Sequence, residues 1–184
     1  MGRYAPIDAS APPLITLDDF FTPEACARVI RDAEARGFEV ASIAYRDGTR
    51  VDPAARNNAR VTFEDESLRT ELFERAAPHL PSLHGERPVG LNEWLRVYRY
   101  EPGQRFTTHR DGWVQRPDGS RSRLTSMIYL SEVEAGGETW FPSLDRGITP
   151  RTGRAVFFQH SLLHASRPVI RGTKYVLRSD VYYV

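Results

Sequence analysis

The sequence predicts an α+β fold, mainly β, in which supporting helices come first and an antiparallel sheet or barrel follows. Three observations carry that prediction. Helical periodicity is confined to the first 77 residues; from residue 92 onward short aromatic and β-branched runs are divided by Gly and Pro; and strands and helices do not alternate as parallel βαβ units require. With 184 residues and 40% hydrophobic content, the chain is long enough for one core and short for two. We therefore expect a single domain over 14–184. Residues 1–13, with three prolines and little apolar periodicity, are expected to form a flexible lead-in.

The first element after the lead-in is a helix within FFTPEACARVIRDAEARGF. Thr22 suits its N-cap, Pro23 its first position and Gly37 its C-terminal stop. Ala25, Val29, Ile30 and Ala33 fall at helical spacing and predict one core-facing side. A second helix is expected over 67–77, SLRTELFERAA, ending before Pro78. Between them we expect a short strand and then a polar loop rich in Asp, Asn and Arg, including RNNARVTF at 56–63. WLRVYRYE, SRLTSMIYLSE, ETWF, GRAVFFQH and KYVLRSDVYYV then read as strands.

The 25 basic and 24 acidic side chains nearly cancel, so no broad field points to nucleic acid or to an anionic membrane. A small-molecule or peptide substrate is the expected partner; oligomeric state is not legible. The single cysteine, Cys26, cannot close an intramolecular disulfide. Neither a secretory leader nor an apolar run of about 18 residues is present, so the expected location is cytoplasmic.

FTTHRDGW, at 106–113, places His109 and Asp111 two apart in a run that begins with strand character. On a strand, residues i and i+2 face the same way, so imidazole and carboxylate can converge. A third ligand must come from elsewhere, and FFQHSLLHASRPV offers His160 and His164. Two histidines and one carboxylate leave a face of a six-coordinate metal open, an arrangement suited to ferrous iron in oxygenases. If 2-oxoglutarate chelates that iron, its far carboxylate needs a cation, Lys or Arg.

HRD at 109–111, GGETWFP at 136–142 and HASRPVIRGTKY at 164–175 together resemble the prolyl 4-hydroxylase-like, 2-oxoglutarate- and Fe(II)-dependent dioxygenases. The resemblance runs from RYEPGQ at 99–104 to the C-terminus. It implies a double-stranded β-helix of jelly-roll, cupin-like type with helices packed on one sheet. It also implies that His109, Asp111 and His164 bind the iron and that Lys174, ten residues after His164, pairs with the distal carboxylate of 2-oxoglutarate. Tyr100 and Thr139 match family positions near that cosubstrate. The implied reaction is hydroxylation of an unactivated C–H bond with O2, giving succinate and CO2, with ascorbate as a candidate reductant. In related halogenases the carboxylate ligand is missing, so Asp111 favours hydroxylation. Many relatives carry a tryptophan six residues after the lysine, where this chain has Asp180.

His160 lacks the Pro-Val and Gly-x-Lys that follow His164, and it is expected to cap a strand or face solvent. Strand alternation puts Lys174, Val176, Arg178 and Asp180 on one face, so Arg178 competes with Lys174 as the 2-oxoglutarate anchor. Asn58, Arg60, Trp113 and Asp180 are candidate substrate contacts, and Trp140 is either pocket wall or core. The expected substrate is a prolyl or related amino-acid residue, with a free amino acid or natural-product intermediate as the alternative. A metal-binding barrel without 2-oxoglutarate chemistry, either a zinc hydrolase or a non-catalytic module, is the competing class.

Overall fold

Thr22 opens the first helix, Pro23–Arg36, as its hydroxyl accepts from the Ala25 amide at 3.2 Å, and Gly37 closes it at φ +82°. Cys26, Val29 and Ala33 are its buried side, with Ala25 and Ile30 packed at the margin. The computed structural model describes residues 5–45 and 48–184. The second helix, Glu66–Ala76, is capped by Asp65 and presents Leu68, Leu72 and Ala76 to the same core. Pro78 does not simply follow it: a 3-10 turn, Ala77–His79, carries the chain on, since proline's fixed φ and missing N–H suit an early turn position.

The helices cover one face of an eight-stranded sheet. Its spatial order is Leu14–Leu17, Ala155–Gln159, Arg121–Tyr129, Lys174–Tyr183, Trp94–Tyr100, Ala59–Glu64 and Glu39–Val40, with Pro88–Leu91 also paired to Lys174–Tyr183. Every pairing is antiparallel. A second sheet runs Arg146–Ile148, Thr139–Phe141, His164–Ser166 and Phe106–His109. One apolar cluster fills the space between helices and main sheet, with Leu95, Val97, Leu177 and Val181 among its members. The other, with Tyr129, Phe141, Phe158 and Val176, lies between the two sheets. This is the jelly-roll arrangement that the sequence resemblance implies.

Two local expectations change. ARVTF belongs to a strand, Ala59–Glu64, and not to a polar loop, because Val61 and Phe63 alternate into the core while the run pairs with Trp94–Arg99. The short strand expected before it is a hairpin, Ile43–Tyr45 with Gly48–Arg50. Of the lead-in, residues 1–4 lie outside the described residues, and residues 5–13 are tied to the body. The Asp8 amide donates to Gln159 Oε1 at 2.7 Å, and the Asp8 carboxylate accepts from the His84 amide. No helix among the described residues is long and apolar enough to cross a membrane.

One glycine fixes how the first helix meets the sheet. The Phe21 amide donates to the Gly153 carbonyl at 3.1 Å, Gly153 holds φ +80°, and a Cβ there would lie 2.0 Å from the Phe21 carbonyl oxygen. Gly153→Ala is therefore expected to destabilise the fold by roughly 2–3 kcal/mol, from left-handed strain plus a backbone clash. A thermal melt reads this as a fall of about 2–4 °C per kcal/mol for a chain of this size. An unchanged midpoint would mean that the turn shifts freely.

Candidate functional site

The strand Phe106–His109 lies antiparallel to His164–Ser166, and His109 and His164 are register partners. The strand ends at His109, so simple alternation does not place Asp111. Its amide donates to the His160 carbonyl at 3.0 Å, which turns the chain and brings the carboxylate back beside the imidazoles. One ligand atom from each of His109, Asp111 and His164 lies within 4.8 Å of the others. His109 Nε2 is 3.8 Å from Asp111 Oδ1, and His164 Nε2 is 3.6 Å from Oδ2.

The far side of each ring fixes its tautomer. His109 Nδ1 meets the Thr107 carbonyl at 2.8 Å and His164 Nδ1 meets the Leu162 carbonyl at 3.0 Å. A carbonyl only accepts, so both Nδ1 atoms carry hydrogen and both Nε2 lone pairs point at the carboxylate. Burial, reinforced by the neighbouring His164, pushes the His109 imidazolium down to about 3, and burial lowers that of His164 too. Two neutral imidazoles and one carboxylate are the donors a first-row divalent cation takes. Phe106 stacks on His109 at 3.7 Å between centroids, and Phe158 tilts against His164 at 4.5 Å.

Asp111 is held from behind. Burial alone would raise its carboxyl, yet Arg178, His164 and His109 hold it well below the usual carboxylate range. Arg178 Nη2 lies 3.1 Å from Asp111 Oδ2, and the Thr125 hydroxyl donates to that oxygen. Thr125 Oγ1 also lies 3.0 Å from His160 Nδ1. Since the one hydroxyl hydrogen goes to the carboxylate, His160 Nδ1 must be the donor to Thr125. His160 thus follows the end of the strand Ala155–Gln159, its amide donating to the Arg123 carbonyl at 3.0 Å, and its side chain does not face solvent but is buried near Asp111, with Nε2 unpartnered.

The triad opens on a cavity of about 870 Å³ lined by Lys174, Val176, Arg178 and Asp180, the face that strand alternation groups together. At one end, Lys174 is 1% exposed and burial pushes its ammonium down to about 7. It donates to the Gly137 carbonyl at 2.8 Å and to the Ser166 hydroxyl, lies 4.4 Å from the Tyr100 ring centroid, and makes no ion pair among the described residues. Two of its three N–H donors are used. Thr139 is on the same wall, and its hydroxyl accepts from Tyr129 at 2.6 Å. Tyr100 is buried there, and burial pushes its phenol up to about 12.

Arg178 is not placed as a second free anchor, because Asp111 and Asp180 both lie 3.1 Å from its Nη2. Arg60, Trp113 and Asp180 reach the cavity; Asn58 does not. It is buried beneath the wall, where its Oδ1 accepts from Arg56 Nε at 2.6 Å. Asp180 is engaged by Arg96 at 3.4 Å as well as by Arg178, and Trp140 lies against Arg167, outside the lining. The sequence reading missed Thr125, Ser166 and Arg56. A threonine in a strand and a serine two after a ligand carry no signal until register sets them beside Asp111 and Lys174.

Comparison with known proteins agrees with this geometry. A model of the 2OG-Fe(II) oxygenase superfamily matches residues 95–179. Prolyl 4-hydroxylase 13 of Arabidopsis thaliana is 29% identical over 90% of this chain and 69% of its own length. Among solved structures, the viral collagen prolyl hydroxylase of Paramecium Bursaria Chlorella virus-1, in complex with 2OG, superposes with a TM-score of 0.70 at 22% identity. That match covers 95% of this chain and 98% of the other. A Trichoplax adhaerens prolyl hydroxylase, bound to a hypoxia inducible factor peptide fragment, gives 0.69 at 17% identity over 92% and 83%.

Proposed function

We propose that this chain, whose residues 95–179 match a 2OG-Fe(II) oxygenase superfamily model and which is similar to prolyl 4-hydroxylases, hydroxylates an unactivated C–H bond of a prolyl or related amino-acid residue. The overall change is R–H + O2 + 2-oxoglutarate → R–OH + succinate + CO2. The observation that carries the reading is the pairing of the His109–Asp111–His164 cluster with Lys174, a buried cation that makes no ion pair among the described residues, on one cavity wall.

His109 and His164 through Nε2, and Asp111 through its carboxylate, would hold the iron, and their donor set fits it. The bound iron supplies O2 activation coupled to decarboxylation of the cosubstrate. The remaining work belongs to this chain. Lys174 offers its unused N–H to the distal carboxylate of 2-oxoglutarate, and Tyr100 and Thr139 border that end. Thr125 and Arg178 keep Asp111 ionised and fixed in orientation. Met127 and Val176 make the wall apolar and limit water near the reacting carbon. A hydrolase or a silent binding barrel gives Lys174's burial no such purpose.

The test is succinate release under air with Fe(II) and 2-oxoglutarate, against prolyl peptides, free amino acids and other small metabolites. Succinate matched by hydroxylated product supports the reading; no succinate above the metal-free blank overturns it. Thr125→Val adds a check on the support around Asp111, since it keeps the side-chain volume and deletes the hydrogen bond. Divalent-metal affinity is expected to fall about 10–100-fold by equilibrium titration. An unchanged affinity would leave Thr125 a packing residue.

A further inference from the structure

Arg56 is a buried charge on the cavity wall that neither metal nor cosubstrate accounts for. Among the neighbouring arginines, Arg60 pairs with Glu39, Arg96 with Asp180, and Arg178 with Asp111 and Asp180. Arg56 has no carboxylate partner among the described residues. It is 5% exposed, its Nε donates to Asn58, and its Nη2 is buried with no hydrogen-bond partner. Its guanidinium lies over the Tyr98 ring at 4.4 Å and the Phe106 ring at 4.6 Å. Arginine does not shed its proton in proteins, so a buried guanidinium with no carboxylate partner among the described residues favours a counter-charge from outside the chain.

The surroundings are positive as well. Burial alone would raise the Tyr98 phenol, yet Arg178, Arg56 and Arg96, with a side-chain hydrogen bond from Arg56, together pull it down to about 8. Position matters too: Phe106, which carries Arg56 on one side, stacks on His109, so a single aromatic ring separates the guanidinium from the metal-ligand cluster. An anion held at Arg56 therefore lies within a few bonds of a C–H group presented to His109 and Asp111. A single planar guanidinium fork matches a carboxylate, whereas a phosphate dianion would need more free cations and would meet Asp111 and Asp180.

Resting on the oxygenase reading above, we propose that the substrate bears a free carboxylate that docks on Arg56 beside Tyr98. The substrate class is thus a free or chain-terminal amino or imino acid, not an internal residue of a peptide. An internal residue offers only neutral amides to this guanidinium and leaves the charge unpaired. Asn58 acts as a positioning residue that holds Arg56 through Nε.

The probes are N-acetyl amino and imino acids, N-acetylproline among them, each paired with its carboxamide, together with a capped peptide containing internal proline. Succinate release by the iron-loaded enzyme gives kcat/KM for each. For at least one pair the acid is expected to exceed the amide by about tenfold or more, the size of one charge-assisted hydrogen bond. That preference should collapse towards unity in Arg56→Gln and persist in Arg56→Lys. It is overturned if amides or the internal peptide match the acids, if no acid stimulates release above 2-oxoglutarate alone, or if the preference survives in Arg56→Gln. Should Arg56→Gln fail to fold, the wild-type acid-to-amide ratio still decides. Failure of the oxygenase reading looks different: no succinate forms even slowly from 2-oxoglutarate alone.

Discussion

His164→Ala is expected to lose tight divalent-metal binding, with affinity down by more than about 100-fold. Changes to groups that merely orient a ligand already cost about 10–100-fold, and this variant deletes a ligand atom. The side chain that replaces it cannot be compensated from nearby. His160 is close in sequence, but its Nδ1 is committed to Thr125 and it does not line the cavity. His109→Ala should behave alike, and it also removes the ring on which Phe106 stacks. Equilibrium titration with Co(II) or Fe(II) under anaerobic conditions measures both. Retention of wild-type metal stoichiometry and affinity in the two variants would sink the metal assignment. Because His109 stays neutral down to about pH 3, protons do not compete for its Nε2 at pH 5–6, where an ordinary histidine would lose its metal.

Part of this site was legible in the sequence and part was not, for physical reasons. Chemistry read from residue type and spacing survives folding: the helix signals at Thr22, Pro23 and Gly37, and the shared face of Lys174, Val176, Arg178 and Asp180, depend on local periodicity alone. Asp111 shows where locality stops. Alternation would place it on a strand with His109, yet the strand ends and a hydrogen bond to His160 makes the turn. Arg178 failed as a rival to Lys174 for a similar reason. On the strand Arg178 already has Asp180 two residues on along the same face, and the fold adds Asp111 to it, whereas Lys174 meets a carbonyl and a hydroxyl. RNNARVTF was misjudged because its polar residues outnumber Val61 and Phe63, whose burial decides the strand.

That difference in partners makes Lys174 and Arg178 separable by experiment. Lys174→Ala is expected to weaken 2-oxoglutarate binding about 10–100-fold, the worth of a charge-assisted hydrogen bond to a carboxylate. Arg178→Ala should act first on the metal, since it strips the cation from Asp111, and should change cosubstrate affinity less once metal is saturating. The reverse order would move the anchor to Arg178. Lys174 also predicts a pH dependence. Burial holds its ammonium down to about 7 in the folded chain, against 10.5 for an ordinary lysine. Between those limits the unfolded chain carries a proton that the folded chain lacks, so stability without cosubstrate rises with pH across that window and its gain is lost as pH falls towards 7. Cosubstrate reverses the preference, because its carboxylate favours the charged ammonium. Binding then takes up a proton above pH 7, and affinity should fall towards tenfold per pH unit. Anaerobic titrations at pH 6.5 and 8.5 would show a large loss in wild type and little change in Lys174→Ala; equal pH dependence in both would place the titrating group elsewhere.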